Sequence, residues 1–413
     1  MADNFDLDNE RLIVASGIRN IFTPYQPVMD RDLFFGRQAE VAGIIQQLNT
    51  PGQHSLLFGE RGVGKSSLAN IASEVLKPLA GDSRIVKRCD STDNFRTIVE
   101  PLLREVGIDL QIKSTADAIS EGGDAGLNAG FAKAGVKTTT THTQQSDGVT
   151  GKAESPGWVA DQVRGLEALF LLDEIDVIAP LEKAKIAEFV KQLSDSGSKL
   201  KLLIVGIADT AVELTNGHPS VQRALRETRL RKMSDREIEF LVTSGAEKAK
   251  IEFKPSAIRK IVTVSAGYPH FAHLLALKAA EIVIGSGEKE VQLFHIQQAT
   301  NAATGDAEGT LRAKYDEFVR SANTDEFRRI LVAATAIDAD EFPAAMLRQR
   351  YRDLWGREVT QGWLNNYLQK IVANDDSCIL RRLAKGIYKF ADLRMRSYVR
   401  LANLSDVPDD DDG

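Results

Sequence analysis

A glycine-rich loop between a short apolar run and a helical pattern constrains this chain more than any other feature. The apolar run is residues 55–58, and the next eight residues read GERGVGKS, from Gly59 to Ser66. The residues after this loop continue at helical spacing through Leu76. In such a loop the backbone N–H groups converge on a phosphate, the lysine reaches the β- and γ-phosphates, and the serine hydroxyl helps to hold Mg²⁺. An ordinary strand-turn-helix corner is the alternative, but the flanking strand and helix favour a P-loop.

This loop defines the first set of predicted site residues. Lys65 is expected to contact the phosphates during the reaction, and Ser66 is expected to be a ligand of Mg²⁺. The predicted phosphate-binding residues are Gly59, Glu60, Arg61, Gly62, Val63, Gly64, Lys65, Ser66 and Ser67.

A second acidic site follows about a hundred residues later. Residues 168–172 form a continuous apolar run of the kind that a strand buried on both faces needs, and Asp173 and Glu174 follow it directly. Asp173 is predicted to hold Mg²⁺, and Glu174 to orient the water that attacks the γ-phosphate. A solvated strand end is the alternative for this pair. Asp176 either supports the site or starts a helix, and the sequence leaves both readings open.

Composition predicts a soluble, cytoplasmic protein of two or three domains. The chain has 413 residues, with 43% hydrophobic and 27% charged residues, which are ordinary globular values. No apolar stretch reaches membrane-spanning length, and the N-terminus is acidic where a signal peptide would be basic. Cys89 and Cys378 lie far apart in the sequence and imply no disulfide framework. His270 and His273 share a helical face but lack a third ligand nearby, so packing or polar contacts are favoured over metal binding.

Strand and helix patterns alternate after the P-loop. Residues 84–89 and 202–207 read as buried strands, whereas residues 95–106 and 181–193 read as helices. This order predicts an α/β fold with a parallel sheet, helices on both faces and a ligand at the carboxyl ends of the strands. Residues 1–32 are predicted to be an irregular arm. Residues 112–157 are predicted to be an insertion, either mobile or a β-hairpin at 136–143, and either a partner-contact loop or passive decoration.

The combination of these motifs resembles a known family. The sequence FGR at 35–37 with Glu40, the GERGVGKS loop and LLDEID together are similar to the AAA+ ATPases of the origin-recognition initiator and STAND-like kind, over about residues 20–400. The resemblance implies an AAA+ sheet followed by a helical lid and a C-terminal winged-helix domain. It also implies ATP and Mg²⁺ as cofactors and slow ATP hydrolysis.

The resemblance assigns further residues. Phe35, Gly36 and Arg37 would lie at the adenine base, and Pro269, in a segment similar to the GxP motif of STAND-like lids, would pack near it. Asp209 stands where such proteins usually carry a different polar sensor residue. Arg223 is the candidate for an arginine finger that reaches a neighbouring subunit, with Arg226 in reserve. Arginines on an exposed helix face are the alternative for this pair.

The C-terminal region, residues 325–404, resembles a winged helix, with three predicted helices and two predicted strands. It holds 14 Lys/Arg and 10 Asp/Glu, so its charge is mildly basic. Such folds often contact duplex DNA, and in STAND-like proteins they instead serve as an intramolecular brake or a partner surface. The predicted DNA contacts are Gln361, Asn365, Lys370, Arg381, Arg382 and Lys385.

These expectations combine into one hypothesis with an alternative. The predicted domains are 1–32 (arm), 33–230 (AAA+ domain), 231–305 (helical lid), 306–404 (linker helix and winged helix) and 405–413 (acidic tail). The favoured function is an ATP-dependent switch or remodeller that forms a homo-oligomer, with duplex DNA as a candidate partner of the winged helix. The alternative is a signalling ATPase that regulates a separate effector protein without DNA. A nucleotide-stabilised scaffold that barely hydrolyses is a third class.

Overall fold

The computed structural model describes residues 7–76, 83–110, 151–215, 219–319, 324–372 and 378–407. The chain divides into two compact units, which are described separately below. The lid unit comprises Met1–Val41, Gly59–Ile71 and Leu230–Gly413. The sheet unit comprises Ala42–Phe58 and Ala72–Arg229. The predicted hairpin at 136–143, nearly all of the predicted insertion and the tail after residue 407 lie outside the described residues.

Helices and strands are numbered in chain order through the described residues. The helices are α1 (Leu7–Ser16), α2 (Ile18–Ile21), α3 (Gln38–Asn49), α4 (Lys65–Leu76), α5 (Phe95–Glu105), α6 (Pro156–Val163), α7 (Pro180–Asp195), α8 (Ala208–Thr215), α9 (Pro219–Ala224), α10 (Asp235–Ala249), α11 (Pro255–Ser265), α12 (Pro269–Gly285), α13 (Leu293–Asp306), α14 (Gly309–Val319), α15 (Glu326–Thr335), α16 (Ala344–Trp355), α17 (Gln361–Ile371) and α18 (Met395–Ala402). The strands are β1 (His54–Gly59), β2 (Ser83–Arg88), β3 (Ala168–Asp173), β4 (Lys201–Gly206), β5 (Leu225–Leu230), β6 (Glu252–Phe253), β7 (Glu290–Val291), β8 (Glu341–Pro343), β9 (Leu380–Ala384) and β10 (Ile387–Phe390).

The sheet unit is built on a five-stranded sheet with the order β2-β3-β4-β1-β5. The pairs β2/β3, β3/β4 and β4/β1 run parallel, with Leu171 opposite Leu203 and Leu57 opposite Val205. Every residue of β3 is buried, as its continuous apolar sequence predicts. The α/β prediction with a parallel sheet is therefore confirmed. Since parallel strands end at the same edge, the acidic end of β3 and the end of β1 lie at one edge of this sheet.

Helices flank the sheet because each carries an apolar stripe. In α5, Phe95, Ile98, Val99, Leu102 and Leu103 are all buried at helical spacing. The helix begins where the Asn94 side chain accepts a hydrogen bond from the Thr97 N–H and the Thr97 side chain accepts one from the Asn94 N–H. These contacts fix the helix on the same core that β3 and α7 bury.

The lid unit corrects the prediction for the N-terminal arm. Residues 1–32 were expected to be irregular, yet α1 and α2 occupy much of this segment. Ile18, Ile21 and Phe22 are buried, and the ring of Phe22 lies so close to Gly245 that a Cβ there would come within 2.5 Å of Cε1. Packing of these apolar side chains on the lid helices, and not local sequence propensity, makes the segment ordered.

The remaining predicted elements of the lid unit are present. Helix α10 begins with a capping box of Ser234 and Glu237, a pattern readable from the spacing of the two residues, and α12 begins with Pro269 at its first position. The three helices and two strands predicted after residue 325 are α15, α16, α17, β9 and β10, and β10 lies between β8 and β9 in a three-stranded sheet. Helix α18 was not predicted. None of the helices in the described ranges has the length and apolar character needed to cross a bilayer.

Buried His54 in the sheet unit gives a testable pH dependence. Its side chain is 1% exposed, and its Nδ1 accepts a hydrogen bond from the Leu202 N–H over 3.1 Å. Burial, with a smaller contribution from the charge of Lys201, lowers the pKa of His54 to about 3. Because the unfolded chain binds this proton at a pKa near 6.5, the free energy of unfolding should fall as the pH decreases from about 6.5 towards 3.

We expect His54 to lower the free energy of unfolding by about 2 kcal/mol when the pH is lowered from 7.5 to 5. His54→Asn keeps an acceptor for the Leu202 N–H but has no proton to gain. Urea unfolding of both proteins at the two pH values measures the difference. Equal pH dependence in wild type and His54→Asn would contradict this assignment.

Candidate functional site

The P-loop in the lid unit has the backbone that its glycines allow. Residues 59–66 run from the end of β1 into α4, which begins at Lys65. Gly62 has a φ of 82° and Gly64 a φ of 94°, values that side chains with a Cβ rarely adopt. The first N–H groups of α4 have no partner within the helix, and the helix dipole is positive there. The loop therefore has the conformation and the polarity to receive an anion.

Lys65 lies over its own loop. Its Nζ donates hydrogen bonds to the Glu60 carbonyl over 2.8 Å and to the Gly59 carbonyl over 3.1 Å. These contacts hold the ammonium group beside the backbone that would surround a phosphate. A phosphate oxygen is a stronger partner for an ammonium than a neutral carbonyl, so the contacts are suited to exchange.

Three further side chains of the lid unit contact the P-loop. The Tyr268 hydroxyl donates to Oε2 of Glu60 over 2.7 Å. Pro269 Cγ lies 3.6 Å from the position of a Cβ at Gly64, and Arg394 Cδ lies 2.8 Å from that of a Cβ at Gly62. Any larger residue at position 62 would thus collide with Arg394. The loop is in contact with the first turn of α12 and with the residue that precedes α18.

Charges are concentrated around these contacts. Arg394 is buried, and it donates to Oδ1 and Oδ2 of Asp392 over 3.0 and 2.6 Å and to Oε1 of Glu308 over 2.5 Å. We call these three residues the Arg394 cluster. Burial alone would raise the pKa of Asp392, but the hydrogen bond and charge of Arg394 lower it overall. Burial, followed by the neighbouring Glu60, raises the pKa of Tyr268, which keeps this hydroxyl a donor.

The predicted base-binding segment contacts the start of the lid. Arg37 is buried with a φ of 61°, and its Nη2 donates to the Arg231 carbonyl over 2.7 Å. Met233 Cε lies 3.3 Å from the position of a Cβ at Gly36. The ring of Phe35 meets that of Phe240 edge to face. Phe35, Gly36 and Arg37 therefore pack on residues 231–240, and their contact with a base stays a prediction.

The N-terminal arm also reaches the P-loop helix, which the sequence did not indicate. The Val28 N–H donates to the Ser67 hydroxyl over 3.1 Å. Nearby, His273 Nδ1 accepts from the Thr23 N–H and His270 Nδ1 lies 2.9 Å from the Pro24 carbonyl. Both histidines make polar contacts with the arm, as predicted. Among the residues that the structure describes, no group of three His, Cys, Asp or Glu side chains could hold a metal ion.

The acid pair of the sheet unit follows β3. Asp173 is 6% exposed, and its Oδ1 accepts a hydrogen bond from the Glu174 N–H over 2.9 Å. Glu174 is exposed and adopts a left-handed backbone, with φ 60° and ψ 34°. A glutamate in this conformation is strained by about 1 kcal/mol or more. The left-handed backbone points the Glu174 side chain in a direction that an extended strand end would not give it.

The other predicted residues of the sheet unit lie on elements other than β3. Asp176 lies in a short 3-10 helix, Ile175–Val177, and is not the start of an α-helix. Arg223 is exposed on α9, whereas Arg226 is exposed within β5. Asp209 belongs to α8, but its side chain lies outside the described part of the chain. The roles of these residues stay predictions.

The strain at Glu174 predicts an inverted preference between two substitutions. Glycine is normally less stable than alanine in ordered backbone by about 0.5–1 kcal/mol. At a left-handed position the order should reverse, so Glu174→Gly should be more stable than Glu174→Ala by about 1 kcal/mol. Chemical unfolding of the two variants measures this difference. A more stable Glu174→Ala protein would show that the backbone is not left-handed here.

Comparisons with known proteins identify the family to which the chain is similar. The family model described as Novel STAND NTPase 1 matches residues 22–374. No curated protein sequence matches the chain significantly.

Several solved structures are similar to this chain at low sequence identity. A Walker-type ATPase of Pyrococcus abyssi is 16% identical with a TM-score of 0.49, and the match covers 92% of this chain and 99% of that chain. The Aeropyrum pernix ORC2 protein, in ADPNP-ADP complexes, is 14% identical with a TM-score of 0.48, covering 94% and 98%. The RuvB Holliday junction branch migration motor of Thermotoga maritima is 15% identical with a TM-score of 0.43, covering 88% and 95%. Identities this low carry no statement about function.

The family match, in contrast, spans far more than half of the chain and includes the P-loop and the acidic end of β3. The protein therefore belongs to the Novel STAND NTPase 1 family.

Proposed function

We propose that this protein binds Mg-ATP at the P-loop, hydrolyses it slowly and uses the bound nucleotide to control its lid and C-terminal segment. The observation that carries the proposal is that side chains from the lid and the C-terminal segment contact the P-loop. Tyr268, Pro269 and Arg394 all touch the loop that would surround the phosphates. A ligand that rearranges this loop must also change the interactions of α12 and of the Arg394 cluster.

Each predicted residue has a role in this proposal. Residues 59–67 surround the phosphates, Lys65 neutralises their charge, and Ser66 and Asp173 hold Mg²⁺. Mg²⁺ held by these two residues would supply positive charge that offsets the negative charge of the phosphates. Glu174 accepts a hydrogen bond from the attacking water and orients it. Phe35, Gly36, Arg37 and Pro269 are proposed to line the base site, and Arg223 to act on a neighbouring subunit.

Two features favour hydrolysis over binding alone. Asp173 is buried, which suits a ligand of a cation, whereas Glu174 is exposed, which suits a group that must meet water. The strained backbone of Glu174 supports the same assignment, because strain of this kind is common at reactive residues. The two adjacent carboxylates therefore have environments that fit different tasks.

The switch follows from competition at the loop. Lys65 donates to two loop carbonyls, and a bound phosphate would compete for the same ammonium group. Glu60, one of the residues that supplies these carbonyls, also binds Tyr268 through its side chain. Phosphate binding would therefore be sensed by Tyr268, and through α12 by the lid. A ligand can shift a conformational equilibrium only through such differential contacts.

Substitutions of the two charged residues should separate binding from hydrolysis. Lys65→Ala should abolish tight nucleotide binding, because the ammonium group supplies the positive charge that reaches the β- and γ-phosphates. Glu174→Gln should bind Mg-ATP as wild type does and lose turnover by about 100-fold or more, since a neutral amide polarises the attacking water far less than a carboxylate does. Calorimetry with a non-hydrolysable ATP analogue and a phosphate-release assay measure the two properties.

Lys191→Met provides a matched control on the surface of α7, where Lys191 pairs with Glu188. It should leave both properties unchanged. Turnover of Glu174→Gln at the wild-type rate would remove Glu174 from its role. Absence of any nucleotide binding by the folded wild-type protein would refute the proposed function as a whole.

Duplex DNA is a second candidate ligand, favoured by one surface. Arg381, Arg382 and Lys385 are exposed on β9 and the turn that follows it, in the segment proposed to be the wing of a winged helix. Lys370 is exposed near the end of α17, but Gln361, Asn366 and Gln369 are uncharged. The charge is therefore modest, and a brake or partner surface is the preferred role for this segment.

Removal of Arg394 should release the brake. We expect wild-type protein to be monomeric with ADP and to self-associate with the ATP analogue, and Arg394→Ala to self-associate with both, because its C-terminal segment no longer packs on Gly62. Size-exclusion chromatography with light scattering, with and without duplex DNA, measures assembly and DNA binding together. Arg11→Ala, at an exposed position of α1, is the control for loss of an arginine.

Assembly of the ATP-analogue complex should also depend on Arg223 if this residue acts on a neighbour. A monomer in every condition would contradict the switch. Co-elution with DNA that weakens steeply with salt would make DNA the preferred partner of the C-terminal segment.

A further inference from the structure

A buried lysine in the sheet unit belongs to none of the sequence motifs. Lys183 lies in α7 and is 6% exposed, among the buried residues of that helix. Its Nζ donates to Oε2 of Glu213 over 2.6 Å and to the Asp176 carbonyl over 3.1 Å. A buried ammonium group is costly without partners, so this position demands both acceptors.

The two acceptors belong to different segments. Asp176 lies in the 3-10 helix that follows Glu174, where the Val177 N–H donates back to the Glu174 carbonyl over 3.2 Å. Glu213 lies in α8, which follows the carboxyl end of β4. Strands β3 and β4 are neighbours in the sheet. Lys183 thus joins the turn after β3 to the helix after β4.

The turn needs an external support. Its first residue, Glu174, has a left-handed backbone that a free chain would leave for a more relaxed conformation. The Asp173 carbonyl, on the preceding side, accepts from the Cys89 N–H over 2.9 Å, which fixes the strand end to β2. On the following side Lys183 provides the corresponding bond at Asp176. The strained residue is therefore held between two fixed points.

We propose that Lys183, with Glu213, is a positioning residue for Glu174. It holds the turn so that the Glu174 carboxylate stays where it can orient the attacking water. This inference rests on the proposed function, because it assigns Glu174 the same task. Lys183 touches neither nucleotide nor water in this account and acts only through the turn.

The experiment compares Lys183→Met, Lys183→Arg and Glu213→Gln in the full chain. Lys183→Met should lower kcat by roughly 10- to 100-fold, the range found when a group that orients a reactive residue is lost. KM and calorimetric affinity for the ATP analogue should stay at wild-type values, because the P-loop is untouched. Lys183→Arg keeps the charge and should recover most of kcat. Glu213→Gln keeps an acceptor but not its charge, so an intermediate kcat is expected.

Controls separate positioning from general stability. Lys191→Met on the same helix should behave as wild type. Thermal unfolding identifies any variant that is only unfolded, and Glu213→Gln tests the proposal at a more exposed position if Lys183→Met does not fold. In the double variant Lys183→Met/Glu174→Gln, kcat should equal that of Glu174→Gln alone, because both changes disable the same group.

The outcomes distinguish failure of the positioning role of Lys183 from failure of the proposed function. Wild-type turnover in Glu174→Gln would refute the proposed role of Glu174 whatever Lys183 does. Loss of turnover in Glu174→Gln with wild-type kcat in Lys183→Met, or in Glu213→Gln if Lys183→Met is unfolded, would refute the positioning role alone. A parallel loss of kcat and affinity in Lys183→Met, without recovery in Lys183→Arg, would assign Lys183 a purely structural role.

Discussion

Two arginines of α18, Arg396 and Arg400, satisfy backbone carbonyls on which the lid unit depends. The last carbonyls of a helix have no partner inside the helix, and their end of the helix is negative. Arg400 donates to the Thr263 carbonyl near the end of α11 and to the Thr335 carbonyl at the end of α15, each over 2.5 Å. Arg396 donates to the carbonyls of Asp338 and Ala339. One short helix therefore joins the lid helices to the C-terminal helices through charge-assisted hydrogen bonds.

The same helix brings the C-terminal segment to the P-loop. Arg394 precedes α18 directly, and the Ser397 hydroxyl in its first turn donates to the Ser265 carbonyl over 2.7 Å. Ser265 ends α11, three residues before Tyr268, which contacts Glu60 of the loop. The loop, the start of α12 and the start of α18 thus form one hydrogen-bonded and packed region within the lid unit. A perturbation at Glu60 or Gly62 meets rigid elements and not a free surface.

Sequence reasoning succeeded where the information is local. The P-loop, the run that became β3, the capping box of Ser234 and the proline start of α12 each depend on residues that are close in the chain, so their patterns are readable. It failed for α18 because arginines at 394, 396 and 400 resemble an exposed helix face. In the structure all or part of each guanidinium is paired with carbonyls or carboxylates from distant segments. It failed likewise for α1 and α2, which are ordered by packing on helices more than 200 residues away.

The candidate site shows the same division between local and distant information. Lys65, Asp173 and Glu174 are predicted from contiguous motifs, but the groups that support those motifs in the fold are not. Lys183 lies nine residues after Glu174 and has no motif of its own, and its buried position and its partner Glu213 appear only in the fold. A sequence motif consists of the residues that contact the ligand, because the chemistry of the ligand allows only one residue type at each of those positions. The supporting groups need only provide a hydrogen bond at the right place, which many residue types and positions can do, so no fixed spacing in the sequence reports them.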